Sequence, residues 1–90
     1  MPRARSRVVV RGRVQGVFFR DSVRRRAESR GVAGWVSNRP DGAVEAVFEG
    51  EPDAVASLVE FTREGPRAAE VEDVEVSEEE PEGLSGFEIR

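Results

Sequence analysis

Short valine-rich runs and two segments of helical period alternate along these 90 residues as β-α-β-β-α-β, with one more short strand at the end. That order predicts an α+β fold, the ferredoxin-like βαββαβ sandwich: an antiparallel sheet carrying two helices on one face. Two observations support it. The length suits one small domain without a linker or a second zone of composition. Glycine and proline also fall where the elements should turn, at Gly31, Pro40-Asp41-Gly42 and Gly65-Pro66.

Residues 1–6 read as a basic, flexible arm, leaving 7–90 as the single domain. From Arg7 to Val14 the residues alternate with period two, Val8 and Val10 against Arg7, Val9 and Arg11, which makes a first strand ending near Gly12–Val14. A helix should run from Phe19 or Arg20 to Arg30. Phe19, Val23 and Ala27 at i, i+4 and i+8 form its core stripe, and the arginines 24–26 make a solvated face. Val32–Asn38 is the second strand. Pro40 presets φ and Gly42 accepts a positive φ, so the chain turns there into a third strand over Ala43–Glu49. Pro52 suits a first helical turn, and Val55, Leu58, Val59 and Thr62 line one side of the helix it starts. Val71, Val74 and Val76 lie in an acidic strand. Glu78–Gly83 reads as a solvated connection, and Phe87 with Ile89 forms the short closing strand.

Composition narrows the chemistry. With no cysteine there is no disulfide and no thiolate; with no histidine, the commonest metal ligand and the commonest general base are both missing. No cofactor or metal is implied, and no loop has the ligand spacing of a carboxylate-only site. No apolar run reaches the length of a membrane span, and MPRARSR lacks an apolar signal core, so a cytoplasmic protein is expected. Charge is unevenly laid out. Residues 1–45 hold 11 arginines against 4 acids, and residues 46–90 hold 3 against 14. In a compact domain these halves interleave and their fields partly cancel.

The most informative stretch runs from Val8 to Arg30. An apolar strand meets a loop bracketed by Gly12 and Gly16, and Arg20 stands where that loop becomes helix. The first turn of a helix has backbone N–H groups without intrahelical partners, backed by the positive end of the helix dipole. Gly16 lets backbone approach a ligand, and Arg20 offers a planar guanidinium suited to phosphate oxygens. The plain alternative is a tight connection beside a solvated arginine. A Walker loop is excluded by the glycine spacing and the absence of lysine, and no G-x-G-x-x-G is present.

Gly12-Arg13-Val14-Gln15-Gly16-Val17-Phe18-Phe19-Arg20 resembles the signature of the acylphosphatases, and Gly34-Trp35-Val36-Ser37-Asn38 resembles that family's second block. The likeness continues through Pro40-Asp41-Gly42, Val44-Glu45-Ala46 and Gly86-Phe87-Glu88-Ile89-Arg90, covering nearly the whole chain from Val8. It implies the same fold and hydrolysis of the carboxyl-phosphate bond of acyl phosphates, giving a carboxylate and inorganic phosphate. It also implies that Arg20 and the backbone amides of Gln15, Gly16, Val17, Phe18, Phe19 and Arg20 bind phosphate, that Asn38 orients the attacking water, and that no covalent intermediate or metal takes part. The partner is then a small-molecule acyl phosphate, with no nucleic acid and no membrane, and a monomer is expected. Two residues depart from patterns found in the family. Arg39 stands where some members carry a small hydroxyl residue, and either sits near the acyl group of the substrate or, the preferred reading, points to water; Arg90 stands where some end in an aromatic.

Two other readings share this topology. A binding module would hold a phosphorylated ligand in the same cradle without turning it over. An RNA-binding domain would stack bases on exposed aromatics of its central strands, but the first strand has none and the third has only Phe48.

Overall fold

A computed structural model describes residues 2–90. Its elements are β1 (Ala4–Arg13), α1 (Phe19–Ser29), β2 (Ala33–Asn38), β3 (Val44–Gly50), α2 (Pro52–Glu64), β4 (Glu70–Glu79) and β5 (Phe87–Ile89). The strands make one sheet in the order β4-β1-β3-β2-β5. Both helices pack on the same face of it and on each other. The sheet is not wholly antiparallel: β5 runs parallel to β2, pairing Gly34 with Phe87 and Val36 with Ile89. The predicted antiparallel sheet is corrected on that edge.

Strand alternation sorts the sheet into two faces. Toward the helices point Val8 and Val10 of β1, Val44, Ala46 and Phe48 of β3, and Val36 of β2, all buried. Phe19, Val23 and Ala27 of α1 and Val55, Leu58, Val59 and Thr62 of α2 close over them, as their helical spacing predicts. Phe87 of β5 completes this layer by stacking on Phe48, with centroids 6.0 Å apart. Gly34 permits the β2–β3 approach, since a Cβ there would lie 1.8 Å from the carbonyl oxygen of Val47. No helix among the described residues is long and apolar enough to cross a membrane.

The opposite face is charged and internally paired. Arg5, Arg7 and Arg11 of β1 stand beside Glu79, Ser77 and Asp73 of β4. Arg5 reaches Glu49 at 2.6 Å and Glu79 at 2.8 Å; Arg7 binds Glu45 and, at 2.8 Å, Glu79. Arg7 and Arg90 also lie over the ring of Trp35, at 5.5 and 4.8 Å. The basic first half of the chain is thus interleaved with its acidic second half.

This network overturns two expectations. The strand begins at Ala4, so residues 4–6 of the expected arm belong to the sheet, and Arg5 is buried. Met1 of that arm lies outside the described residues. The stretch Glu78–Gly83 is not merely solvated either. Glu78 and Glu79 end β4, while the Glu82, Gly83 and Leu84 N–H groups donate to the fully buried carboxylate of Glu49 at 2.9, 3.1 and 3.1 Å. A carboxylate with several donors can be buried where an unpaired one cannot. Burial pushes the Glu49 pKa up, but these amides and Arg5 outweigh it, and the carboxyl stays below the ordinary range.

Candidate active site

The loop between β1 and α1 is pinned at both ends by buried apolar residues, Val14 before it and Phe19 after it. Between them the backbone arches out of the core. Gly16 adopts φ 73° with no atom within 4 Å of where a Cβ would be, and Phe18 adopts φ 62°. The loop is tied sideways by Gln15, whose Nε2 donates to the carbonyl oxygens of Arg39 and Ala43 at 2.8 and 2.9 Å. That clamp joins the start of the arch to the turn after β2. Val17 packs partly buried against the core.

The arch leaves its donors free. Phe18 is the N-cap of α1 and provides no side-chain cap. Among the described residues, no backbone N–H from Gln15 to Asp21 has a protein acceptor; the first bond of the helix is Ser22 N–H to the Phe18 carbonyl. Unpaired amides at a helix start attract anions. Arg20, in the first turn of α1, takes part in no ion pair or side-chain hydrogen bond among the described residues, although most other arginines do.

Asn38 reaches the same place from the sheet. It is the last residue of β2, two after buried Val36 and opposite Val44, so its side chain lies on the helix face of the sheet. Its Oδ1 is buried and has no hydrogen-bond partner. A buried polar atom left without a partner is uncommon and calls for a missing donor. Asn38, Arg20, Gly16, Phe18 and Phe19 line one cleft of about 290 Å³. Five of the residues singled out in the sequence therefore meet, while Gln15 and Val17 support the loop from outside the cleft wall.

Val14, Asp21 and Ile89 line the cleft as well. Asp21 introduces a carboxylate beside the unpaired amides, but Arg24 and Arg25 grip it at 2.8 and 2.6 Å and hold its pKa below the ordinary range. Two of the arginines expected on a solvated face are thus engaged in neutralising a charge at the cleft. The third, Arg26, lies 4.2 Å over the ring of Phe61. The i, i+3 and i, i+4 spacing of Asp21 to Arg24 and Arg25 was a readable signal for that grip. Ile89 was not readable, because only the parallel pairing of β5 brings it beside β2. Arg39 neither lines the cleft nor points simply to water. Its guanidinium lies 3.4 Å from Asp41 and 3.8 Å from Glu45.

Free amides, one unpaired guanidinium and a helix start suit a tetrahedral dianion, and the Asn38 oxygen suits a group that donates a hydrogen, such as water. Comparison with known proteins agrees with this chemistry. The acylphosphatase family model matches residues 6–89. The chain is 64% identical over 87 residues to an acylphosphatase of Rubrobacter xylanophilus, covering 96% of this chain and 79% of that one. It is 54% identical over 90 residues to an acylphosphatase of Haloarcula marismortui, covering 100% and 99%. Among solved structures, an acylphosphatase from Coxiella burnetii superposes with a TM-score of 0.93 at 44% identity, covering 98% of this chain and 93% of that one.

Proposed function

The chain belongs to the acylphosphatase family, and from that premise we propose how it hydrolyses an acyl phosphate to a carboxylate and inorganic phosphate. The guanidinium of Arg20 and the amides from Gln15 to Arg20 hold the phosphoryl oxygens. Water donates a hydrogen bond to Asn38 Oδ1 and attacks phosphorus opposite the acyl oxygen. The new bond joins the water oxygen to phosphorus, and the phosphorus–acyl oxygen bond breaks. The carboxylate leaves with the bonding pair, and both protons of the water end on inorganic phosphate. No base is needed, because a carboxylate is already a good leaving group; positioning and charge stabilisation carry the reaction. Asn38 cannot take the proton itself at neutral pH, so its role is orientation.

One observation carries this reading: Asn38, whose buried Oδ1 has no hydrogen-bond partner, lines the same cleft as unpaired amides and a free arginine. A cradle for a fully ionised phosphoryl group, which has acceptors only, would have no use for that acceptor. A cytoplasmic monomer acting without metal belongs to the same proposal. The test is phosphate release from benzoyl phosphate in the presence of EDTA, by wild type and Arg20→Gln. Turnover that survives the chelator and is lost in the variant supports the assignment. A folded wild type that binds phosphate but releases none from benzoyl phosphate would favour the binding module.

A further inference from the structure

Three large apolar side chains are conspicuously exposed among the described residues: Phe18 at 80%, Ile89 at 40% and Val76 at 39%. Two of these, Phe18 and Ile89, line the cleft. Nothing in the packing of the fold asks for Phe18. It stands at the N-cap of α1, where Ser, Thr, Asp or Asn would satisfy a first-turn amide and a phenyl ring cannot. Its backbone is left-handed at φ 62°, a conformation that is an outlier for a bulky residue. An aromatic held in a disfavoured conformation, without a cap bond and out of the core, points to use at a site rather than to stability.

We infer that Phe18 and Ile89 form an apolar rim that receives the acyl portion of the substrate, so that this chain favours large apolar and aromatic acyl phosphates over small ones. This rests on the acyl-phosphate reading above. The phosphate end belongs with the amides and Arg20, which leaves the acyl group to project through the mouth of the cleft. There the exposed side chains it meets are a phenyl ring from the loop and a branched aliphatic chain from β5. The carboxylate nearest the mouth, Asp21, is already taken up by Arg24 and Arg25. The mouth therefore offers apolar surface and no free carboxylate to pair a cationic acyl group.

The experiment compares kcat/KM for benzoyl phosphate and acetyl phosphate in wild type, Phe18→Asn, Phe18→Leu and Ile89→Ser. Asparagine tolerates the left-handed backbone and can cap the helix, so it removes the ring with least disturbance. Both substrates present the same phosphate, so their ratio cancels any change in the cradle itself. The benzoyl-to-acetyl ratio should fall about fivefold in Phe18→Asn, as expected for losing on the order of 40 Å² of apolar contact. It should recover substantially in Phe18→Leu and fall in Ile89→Ser. Should Phe18→Asn fail to fold, the Ile89→Ser ratio decides alone. A ratio unchanged in the folded variants, with wild type hydrolysing both substrates, overturns the apolar rim and leaves the activity standing. A wild type that hydrolyses neither removes the activity reading and this inference with it.

Discussion

Arg5 and Arg20 sit on opposite sides of the sheet and meet opposite surroundings. Arg5 is buried on the outer face, 2.6 Å from a fully buried Glu49 and 2.8 Å from Glu79, and that same Glu49 accepts three backbone amides from residues 82–84. Arg20 stands at the helix-side cleft in no ion pair among the described residues, near amides that also lack acceptors. On the outer face, the donors of the Arg5–Glu49 group hold β1, β3, β4 and the approach to β5 together. In the cleft, donors are left open for something that is not protein. Charge satisfied internally maintains the fold; charge left unsatisfied is available for binding.

Substitutions can break this contrast from either side. The largest effect should come from Glu49→Ala, which leaves the Arg5 guanidinium buried and three amides without their acceptor. Breaking a buried pair costs about 3–5 kcal/mol, a loss of roughly 15 °C or more in Tm for a domain of this size. Thermal denaturation followed by circular dichroism measures it, and a shift of only a few degrees would mean that the outer network is not what holds the sheet.

Arg20→Gln should behave in reverse. Losing one preorganised donor lowers kcat/KM by about 10²-fold or more and weakens inhibition by phosphate. Tm should stay close to wild type, because a surface change away from packing is worth within about 0.5 kcal/mol. A variant with near-wild-type kcat/KM would end the role given to Arg20. Asn38→Ala sharpens the division inside the cleft. Misorienting the water should reduce kcat by about tenfold or more while inorganic phosphate inhibits as before; a large loss of phosphate affinity would place Asn38 in the cradle instead.

The smallest effect concerns acid. Hydrogen bonds from Arg7 and then Arg5 hold the Glu79 carboxyl at about 2, below its ordinary 4.5. A depressed folded pKa contributes stability that is present above the unfolded value and is lost as pH falls. The Tm advantage of wild type over Glu79→Gln should therefore be constant above about pH 5 and shrink between 4.5 and 2. An advantage that persists undiminished at pH 2 would rule out the ion pair as its source.

Local signals were enough for much of this molecule. The stripes Phe19-Val23-Ala27 and Val55-Leu58-Val59-Thr62 located both helices, and Pro40-Asp41-Gly42 located the β2–β3 turn. Arg20 and Asn38 were identifiable because each stands in a motif of neighbouring residues, and the cleft brings them together. What local sequence could not show was the fate of charges whose partners are distant. Arg5 looked like part of a solvated arm because Glu49 and Glu79, its partners, lie in β3 and β4. The acidic stretch after Val76 looked like a connection for the same reason. Ile89 and the parallel direction of β5 depend on a pairing with β2 across most of the chain. Arg39 was judged on its preference for water, whereas Asp41 and Glu45 determine where it lies.

The parallel pairing of β2 with β5 also bears on when the site comes into being. Joining Gly34 to Phe87 closes a long loop of chain, and long-range closures of that kind form slowly relative to local hairpins and helices. The cradle comes from the β1–α1 connection and can take shape early, but the wall carrying Ile89 must wait for the final edge of the sheet. Recovery of hydrolysis during refolding should thus mark the end of the process, together with the last change in Trp35 fluorescence, since Trp35 pairs with Glu88 of β5 and carries Arg90 over its ring. Activity regained before that last fluorescence change would show that the cleft works without its final wall.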